Sequence, residues 1–137
     1  MRDIKNIFVI DDDSITLFGV RKMLSRITTT SNVFEFKNGQ MAIETIKERI
    51  LNSNALPEVI FLDINMPILD GWGFLEEFIQ LKIEQGILIN IITSSIDPND
   101  RERWLSFKDK THHYIDFVNK PIYKIELKDL HKMDLAS

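Results

Sequence analysis

Acidic, hydroxyl and basic residues follow the short apolar runs of this sequence. Asp11 and Asp12 come directly after the first run, and Asp63 comes after the third. Thr93 follows the fourth run, and Lys120 lies two residues beyond the fifth. Clustered carboxylates repel one another unless a cation such as Mg²⁺, which prefers oxygen ligands, neutralises them. Because a carboxylate can attack phosphorus while ammonium and hydroxyl groups stabilise the transferred group, these residue types suit metal-assisted phosphoryl transfer to an aspartate.

The elements that must position these residues alternate regularly along the chain. The apolar runs predict five strands, over residues 7–10, 33–36, 59–62, 87–92 and 114–118. The segments between them show helical spacing of apolar residues. Asp13 or Ser14 is the predicted N-cap of the first helix, and Asp97 followed by Pro98 begins the fourth. This (βα)5 pattern predicts an α/β fold, a doubly wound parallel sheet with helices on both faces.

The composition of the runs predicts the order of the strands. The first, third and fourth runs are almost entirely apolar, as expected of strands buried on both faces, although Asn90 is an unexplained exception. The second and fifth contain Glu35 and Asp116, which favours the edges of the sheet. The order 2-1-3-4-5, known as flavodoxin-like, satisfies both conditions. Ligand sites in such sheets lie beyond the carboxyl ends of the strands, where the acidic, hydroxyl and basic residues would meet.

Composition limits the protein classes to consider. The chain has 137 residues, 44% hydrophobic and 28% charged, which predicts a single globular domain over 1–137. Its net charge of −4 argues against generic nucleic-acid binding. It contains no cysteine, which excludes disulfides, cysteine zinc ligands and a thiol nucleophile. With no secretory signal and no apolar run of about 18 residues, we expect a soluble, cytoplasmic protein without a membrane partner.

Motifs at the predicted strand ends resemble those of a known family. Residues 61–71 contain the run Asp-x-x-Met-Pro-x-x-Asp-Gly, which begins at Asp63 and ends at Gly71. Shorter motifs lie at residues 10–13, 92–94 and 119–121. With these motifs in this order, the chain resembles the receiver domain of two-component response regulators over essentially its full length.

The resemblance implies a phosphoacceptor and a metal site. Asp63 matches the aspartate that accepts a phosphoryl group from a histidine kinase or a histidine phosphotransfer protein, and it also belongs to the metal site. Asp12 matches the direct ligand of Mg²⁺, with Mn²⁺ as an alternative ion, and Asp11 its partner acting through water. Asn65 matches the residue whose main-chain carbonyl completes the metal shell.

The resemblance also implies a switch. Thr93 matches the switch hydroxyl, and Lys120 the lysine that pairs with the phosphoryl group, with a cis peptide before Pro121. Phe117 falls on the aromatic switch position, where relatives often have tyrosine, and therefore lacks a hydroxyl. Phosphorylation is then reported by the face formed by the fourth helix, the fifth strand and the fifth helix. Ser95, like Asn65, occupies a position that flanks the path of the hydrolytic water in the family.

In this interpretation the protein is a signalling receiver rather than an enzyme, although it takes part in its own phosphorylation and dephosphorylation. Only 17 residues follow Lys120, which suggests a stand-alone receiver or a fragment of a longer regulator. We expect output through contact with a downstream protein of unknown identity, and not with nucleic acid.

Two alternatives remain open at the level of sequence. The motif at residues 10–13 is also similar to the start of haloacid dehalogenase-type phosphatases, in which Asp11 would be the nucleophile. That interpretation leaves residues 63–71 unexplained, and the late acidic pair and the cap domain of those enzymes are missing. The second alternative is a receiver fold that has lost phosphorylation, although the acidic set and the lysine are complete here.

The pair His112 and His113 is compatible with a metal or phosphoryl site. Adjacent side chains in a loop or strand point apart, however, which argues against a shared site. We therefore predict that both histidines lie in a solvated loop.

Overall fold

Five parallel strands form one sheet in the order β2-β1-β3-β4-β5. A computed structural model describes residues 4–122 and 124–135. The strands are β1 (Asn6–Ile10), β2 (Asn32–Phe36), β3 (Val59–Asp63), β4 (Leu88–Thr93) and β5 (Tyr114–Asn119). The predicted strand order is confirmed, including β2 and β5 at the edges.

The helices follow the strands as the sequence predicts, except at the carboxyl-terminal end. They are α1 (Ser14–Ser25), α2 (Gly39–Leu51), α3 (Gly71–Phe78), α4 (Pro98–Lys108), α5 (Leu127–Leu130) and α6 (Lys132–Leu135). Asp13 is the N-cap of α1, since its side chain accepts from the Ile15 amide, and Asp97 caps α4 in the same way. The sequence predicts a single terminal helix. This prediction is wrong, because two short helices meet at His131.

Two hydrophobic layers cover the faces of the sheet and align its central strands. Phe8 and Ile60 belong to the layer packed beneath α2, α3 and α4. Val9 and Phe61 belong to the layer that includes α1 and α5. The register pairs the residues before the two aspartates, Ile10 of β1 and Leu62 of β3, so Asp11 and Asp63 follow at the same level of the sheet.

Asn90, the polar exception in the fourth strand, is buried and takes part in a partly buried polar contact. It lies opposite Asp116 of β5 in the register. The ammonium group of Lys132 in α6 donates to the Asn90 side-chain oxygen at 3.0 Å and to the Asp116 carboxylate at 2.7 Å. Polar groups buried in a sheet need such partners. The two polar residues therefore attach the carboxyl-terminal segment to β4 and β5.

The prediction that His112 and His113 occupy a solvated loop is wrong for His113, which is 5% exposed. Its Nδ1 accepts from the Ile87 amide at 3.0 Å, and its ring packs on Phe78. The two imidazole rings also lie 4.2 Å apart between centroids, so they do not point apart. Burial, together with the nearby His112, lowers the pKa of His113 from 6.5 to about 4. His113 is therefore a neutral core residue.

We expect His113 to contribute a loss of unfolding free energy as the pH falls from 6.5 towards about 4, because between these pH values it takes up a proton only when the chain unfolds. In urea denaturation across this range, the slope of the unfolding free energy against pH reports the protons taken up on unfolding. His113→Asn should reduce that number by up to one, since asparagine does not titrate. Its side-chain oxygen can still accept from Ile87. His112→Asn, at an exposed position, is the control and should keep most of the slope, because burial is the larger cause of the lowered pKa of His113. Equal slopes for wild type and His113→Asn would contradict the prediction.

Candidate functional site

Three aspartates meet at the carboxyl edge of the sheet. Asp11 follows β1 and is completely buried, Asp12 is exposed, and Asp63 ends β3 with 5% exposure. One carboxylate oxygen of each lies within 4.8 Å of the others. The structure thus brings together the three predicted acidic residues.

The environment of Asp63 disfavours its negative charge. Burial and the neighbouring Asp11 raise the pKa of the Asp63 carboxyl from 3.8 to about 6. Lys120 and the amide groups of Asn65 and Ile64 act in the opposite direction, but they do not cancel the first two causes. Bringing a cation into this cluster would relieve the repulsion and favour the ionised carboxylates.

Lys120 extends its ammonium group into the acidic cluster. Its Nζ lies 3.0 Å from Asp11 Oδ2 and 3.8 Å from Asp63 Oδ1. The Lys120 amide donates to the Thr93 carbonyl at 2.7 Å, which aligns the end of β5 with the end of β4. The peptide between Lys120 and Pro121 is cis, as the resemblance implies.

The acidic cluster fits a hard divalent cation. Its donors are carboxylate oxygens, which Mg²⁺ and Mn²⁺ prefer. An octahedral Mg²⁺ holds opposite ligands about 4.2 Å apart, and the three carboxylate oxygens lie within 4.8 Å of one another. The three oxygens are therefore close enough together to serve one divalent ion. Asn65, the remaining predicted ligand, is exposed in the loop that follows Asp63.

The loop between β3 and α3 is held close to the acidic cluster. The Gly71 amide donates to the Ile64 carbonyl at 2.8 Å, and Asp70 caps α3 by accepting from the Gly73 amide. A Cβ atom at Gly71 would lie 2.4 Å from the Asp63 carbonyl oxygen. The Asp-Gly pair of the motif thus permits α3 to begin directly against the backbone of Asp63.

The two predicted switch residues lie on adjacent strands. Thr93 is completely buried at the end of β4, where its hydroxyl oxygen accepts from the Ser95 amide at 3.0 Å. Phe117 of β5 is half-buried and packs against Trp104 of α4, with 5.6 Å between ring centroids. The aromatic side chain therefore lies between the sheet and α4.

Sequence reasoning missed a polar contact beside these two residues. Trp72 of α3 is buried and donates from Nε1 to Asp100 of α4 at 3.1 Å. The Asp100 carboxylate also accepts from the Ser95 hydroxyl. The position of Trp72 beside the motif was visible in the sequence, but nothing local indicated a partner 28 residues away.

A family comparison identifies this arrangement. The family model described as response regulator receiver domain matches residues 7–132. The chain belongs to this family. It is therefore a receiver domain of two-component signalling, a family whose members bind divalent metal ions and interact with histidine kinases and phosphotransfer proteins.

Curated relatives of this receiver domain include longer proteins. Protein-glutamate methylesterase/protein-glutamine glutaminase 1 of Syntrophomonas wolfei is 32% identical over 127 residues, which cover 90% of this chain. The sensor histidine kinase CheAY of Helicobacter pylori is 30% identical over 97 residues, which cover 71% of this chain. The receiver domain spans 32% of the first protein and 11% of the second.

Solved structures share the fold of this receiver domain. A two-component response regulator from Cytophaga hutchinsonii has a TM-score of 0.78 at 24% identity and covers 99% of this chain and 100% of its own. The Mn²⁺-bound form of response regulator Rcp1 has a TM-score of 0.71 at 24% identity, covering 94% of this chain and 88% of its own. These likenesses confirm the flavodoxin-like α/β fold. Within residues 4–122 and 124–135, no helix has the length and apolar character needed to cross a bilayer.

Proposed function

We propose that this receiver domain, over residues 1–137, is the phosphoacceptor switch of a two-component phosphorelay, with Asp63 as the acceptor. A histidine kinase or a histidine phosphotransfer protein would supply the phosphoryl group. The observation that carries the proposal is the position of Asp63 between two further aspartates and the Lys120 ammonium group. Burial and the neighbouring Asp11 raise the pKa of Asp63, and perturbed carboxyl groups of this kind are common at functional sites.

In the proposed reaction, a carboxylate oxygen of Asp63 attacks phosphorus and forms an acyl phosphate. The bond between phosphorus and the donor imidazole nitrogen breaks, and the nitrogen keeps the electron pair. Lys120, 3.8 Å from Asp63 in the resting site, neutralises charge on the transferred group. The Thr93 hydroxyl then donates a hydrogen bond to one of its oxygens.

Asp12 is the proposed direct ligand of Mg²⁺, with Asp11 acting through water and with Asp63 and the Asn65 carbonyl completing the protein ligands. When bound, the ion would neutralise the phosphoryl oxygens and orient them for attack. The Mn²⁺-bound state of Rcp1 supports a divalent ion in this fold and keeps Mn²⁺ as an alternative. The complete burial of Asp11 and its pairing with Lys120 favour an indirect role for that residue.

The proposed output depends on a shift between two conformations. Phosphorylation adds close to two negative charges at Asp63, towards which Thr93 moves. Phe117 then turns into the space that Thr93 leaves, and the face of α4, β5 and α5 changes. The net charge of −4 favours a protein as the downstream partner over nucleic acid. We propose that this signalling takes place in the cytoplasm.

The phosphatase alternative, with Asp11 as the nucleophile, has less support. Asp11 has no exposed surface, its Oδ1 accepts from the Asp13 amide, and its Oδ2 faces Lys120 at 3.0 Å. Both oxygens therefore face groups of the protein, Oδ1 through a hydrogen bond and Oδ2 through an ion pair. We accordingly propose a signalling receiver that takes part in its own phosphorylation and dephosphorylation, and not a phosphatase.

Intact-mass analysis after incubation with Mg²⁺ and phosphoramidate tests the proposal. We expect the gain of one phosphoryl group that requires Mg²⁺, is removed by base and is abolished in Asp63→Asn. A gain that survives Asp63→Asn and is lost in Asp11→Asn would favour the phosphatase. If neither phosphoramidate nor a phosphorylated histidine phosphotransfer protein modifies the folded wild type, the proposal is wrong and the chain is an inert receiver fold.

A further inference from the structure

Ser95, in the loop between β4 and α4, has every polar group engaged by a different partner. Its amide donates to Thr93 Oγ1 at 3.0 Å, and its carbonyl accepts from the Asn119 side chain at 3.0 Å. Its hydroxyl donates to Asp100 Oδ2 at 2.5 Å and accepts from the Asp97 amide at 3.2 Å. The residue that contacts the switch hydroxyl is thus fixed to β5 and to the start of α4.

Asp100 extends these contacts to α3. One carboxylate oxygen accepts from Ser95, and the other accepts from the Trp72 indole at 3.1 Å. Trp72 is itself held firmly, because its ring stacks on Phe107 at 5.7 Å and the Arg103 guanidinium lies over it at 5.3 Å. Asp100 therefore joins a rigid aromatic group of α3 to the loop that carries the switch.

We propose that Asp100 is a positioning residue that holds Thr93 in its resting place through Ser95. The inference rests on the proposed function, in which Thr93 moves towards a phosphoryl group on Asp63. Since the Ser95 amide is hydrogen-bonded to the Thr93 hydroxyl and Ser95 is held on its other sides, that movement must either break this hydrogen bond or pull Ser95 away from Asp100. Contacts made only in the resting conformation oppose the phosphorylated one, and a ligand must supply the difference in free energy between the two. Loss of the Asp100 contact should therefore favour the phosphorylated conformation.

Binding of beryllofluoride, an acyl phosphate analogue, in the presence of Mg²⁺ measures this coupling. The indole N–H of Trp104 is a suitable NMR probe, because it donates to the Ile115 carbonyl outside the Asp100 contacts and its ring packs on Phe117. We expect Asp100→Ala and Ser95→Ala each to bind beryllofluoride about five- to tenfold more tightly than wild type. Asn99→Ala is the matched control, since Asn99 lies exposed in the same turn of α4.

A double variant and a stability measurement make the test specific. If both residues act through one contact, Asp100→Ala combined with Ser95→Ala should bind no more tightly than either single variant. Unchanged or weaker beryllofluoride binding by the single variants, with reduced stability in urea, would show that Asp100 has a structural role only and would overturn the inference. The inference would also be overturned if the gains in beryllofluoride affinity of the two single variants multiplied in the double variant. If the wild type binds no beryllofluoride, or Asp63→Asn binds it equally well, the proposed function itself is wrong and the inference falls with it.

Discussion

In metal-free buffer at pH 7, we expect Asp63→Asn to be more stable than the wild type, with a free energy of unfolding about 1 to 3 kcal/mol higher. Burial and Asp11 raise the pKa of Asp63 from 3.8 to about 6, so the ionised carboxylate opposes folding at neutral pH. Asparagine keeps the shape and removes the charge. The ionised Asp63 lowers the stability of the wild type fully above its folded-state pKa of about 6 and not at all below its ordinary pKa of 3.8. The advantage of the variant should therefore shrink as the pH falls from about 6 to 3.8.

Magnesium should reverse this order. An ion that binds the folded state stabilises it, by about 2.7 kcal/mol at one hundred times its dissociation constant, and the variant lacks one proposed ligand. Urea denaturation with EDTA and with saturating Mg²⁺ gives the comparison. Asp12→Asn is the control, because its exposed carboxylate is screened by water and its removal should change metal-free stability less. An Asp63→Asn protein less stable than wild type in EDTA would contradict the prediction.

The sequence was informative wherever a feature depends on residues close together in the chain. Strand positions, the Asp13 and Asp97 caps and the edge strands all follow from local periodicity and composition. The meeting of Asp11 with Asp63 was also predictable, because parallel strands of similar burial end at the same edge of the sheet. In a doubly wound sheet the carboxyl ends of the strands lie at one edge, so these local patterns are sufficient to predict where the site lies.

Contacts between distant segments were not predictable in this way. The partner of Asn90 is Lys132, 42 residues later, and that contact depends on a terminal segment whose two short helices replace one predicted helix. His113 is buried where its Nδ1 accepts from the amide of Ile87, which lies just before β4 and 26 residues away in the sequence. Neither of these contacts corresponds to a periodic pattern in the sequence. The link from Trp72 to Asp100 is similar, since only the packing of α3 beside α4 brings the two residues together.

Gly71→Ala should cost about 3 kcal/mol of unfolding free energy, near the upper end of what overpacking costs. A Cβ atom there would lie 2.4 Å from the Asp63 carbonyl oxygen and 2.8 Å from the Ile64 Cα. Both atoms belong to the backbone that carries the proposed phosphoacceptor, so no side-chain rotation can relieve the contact. Either α3 or the end of β3 must move, and we therefore expect weaker Mg²⁺ binding as well as lower resistance to urea.

Gly19→Ala provides the matched control for this substitution. Gly19 lies within α1, and a methyl group added there would meet no atom of a neighbouring element within 4 Å, so alanine should stabilise the helix by about 0.5 to 1 kcal/mol. Opposite signs for the two glycine variants would show that the cost at Gly71 arises from its position and not from the added methyl group. Equal stability of Gly71→Ala and wild type would mean that the start of α3 can retreat from Asp63. The close approach of α3 would then not be what fixes the Asp63 backbone.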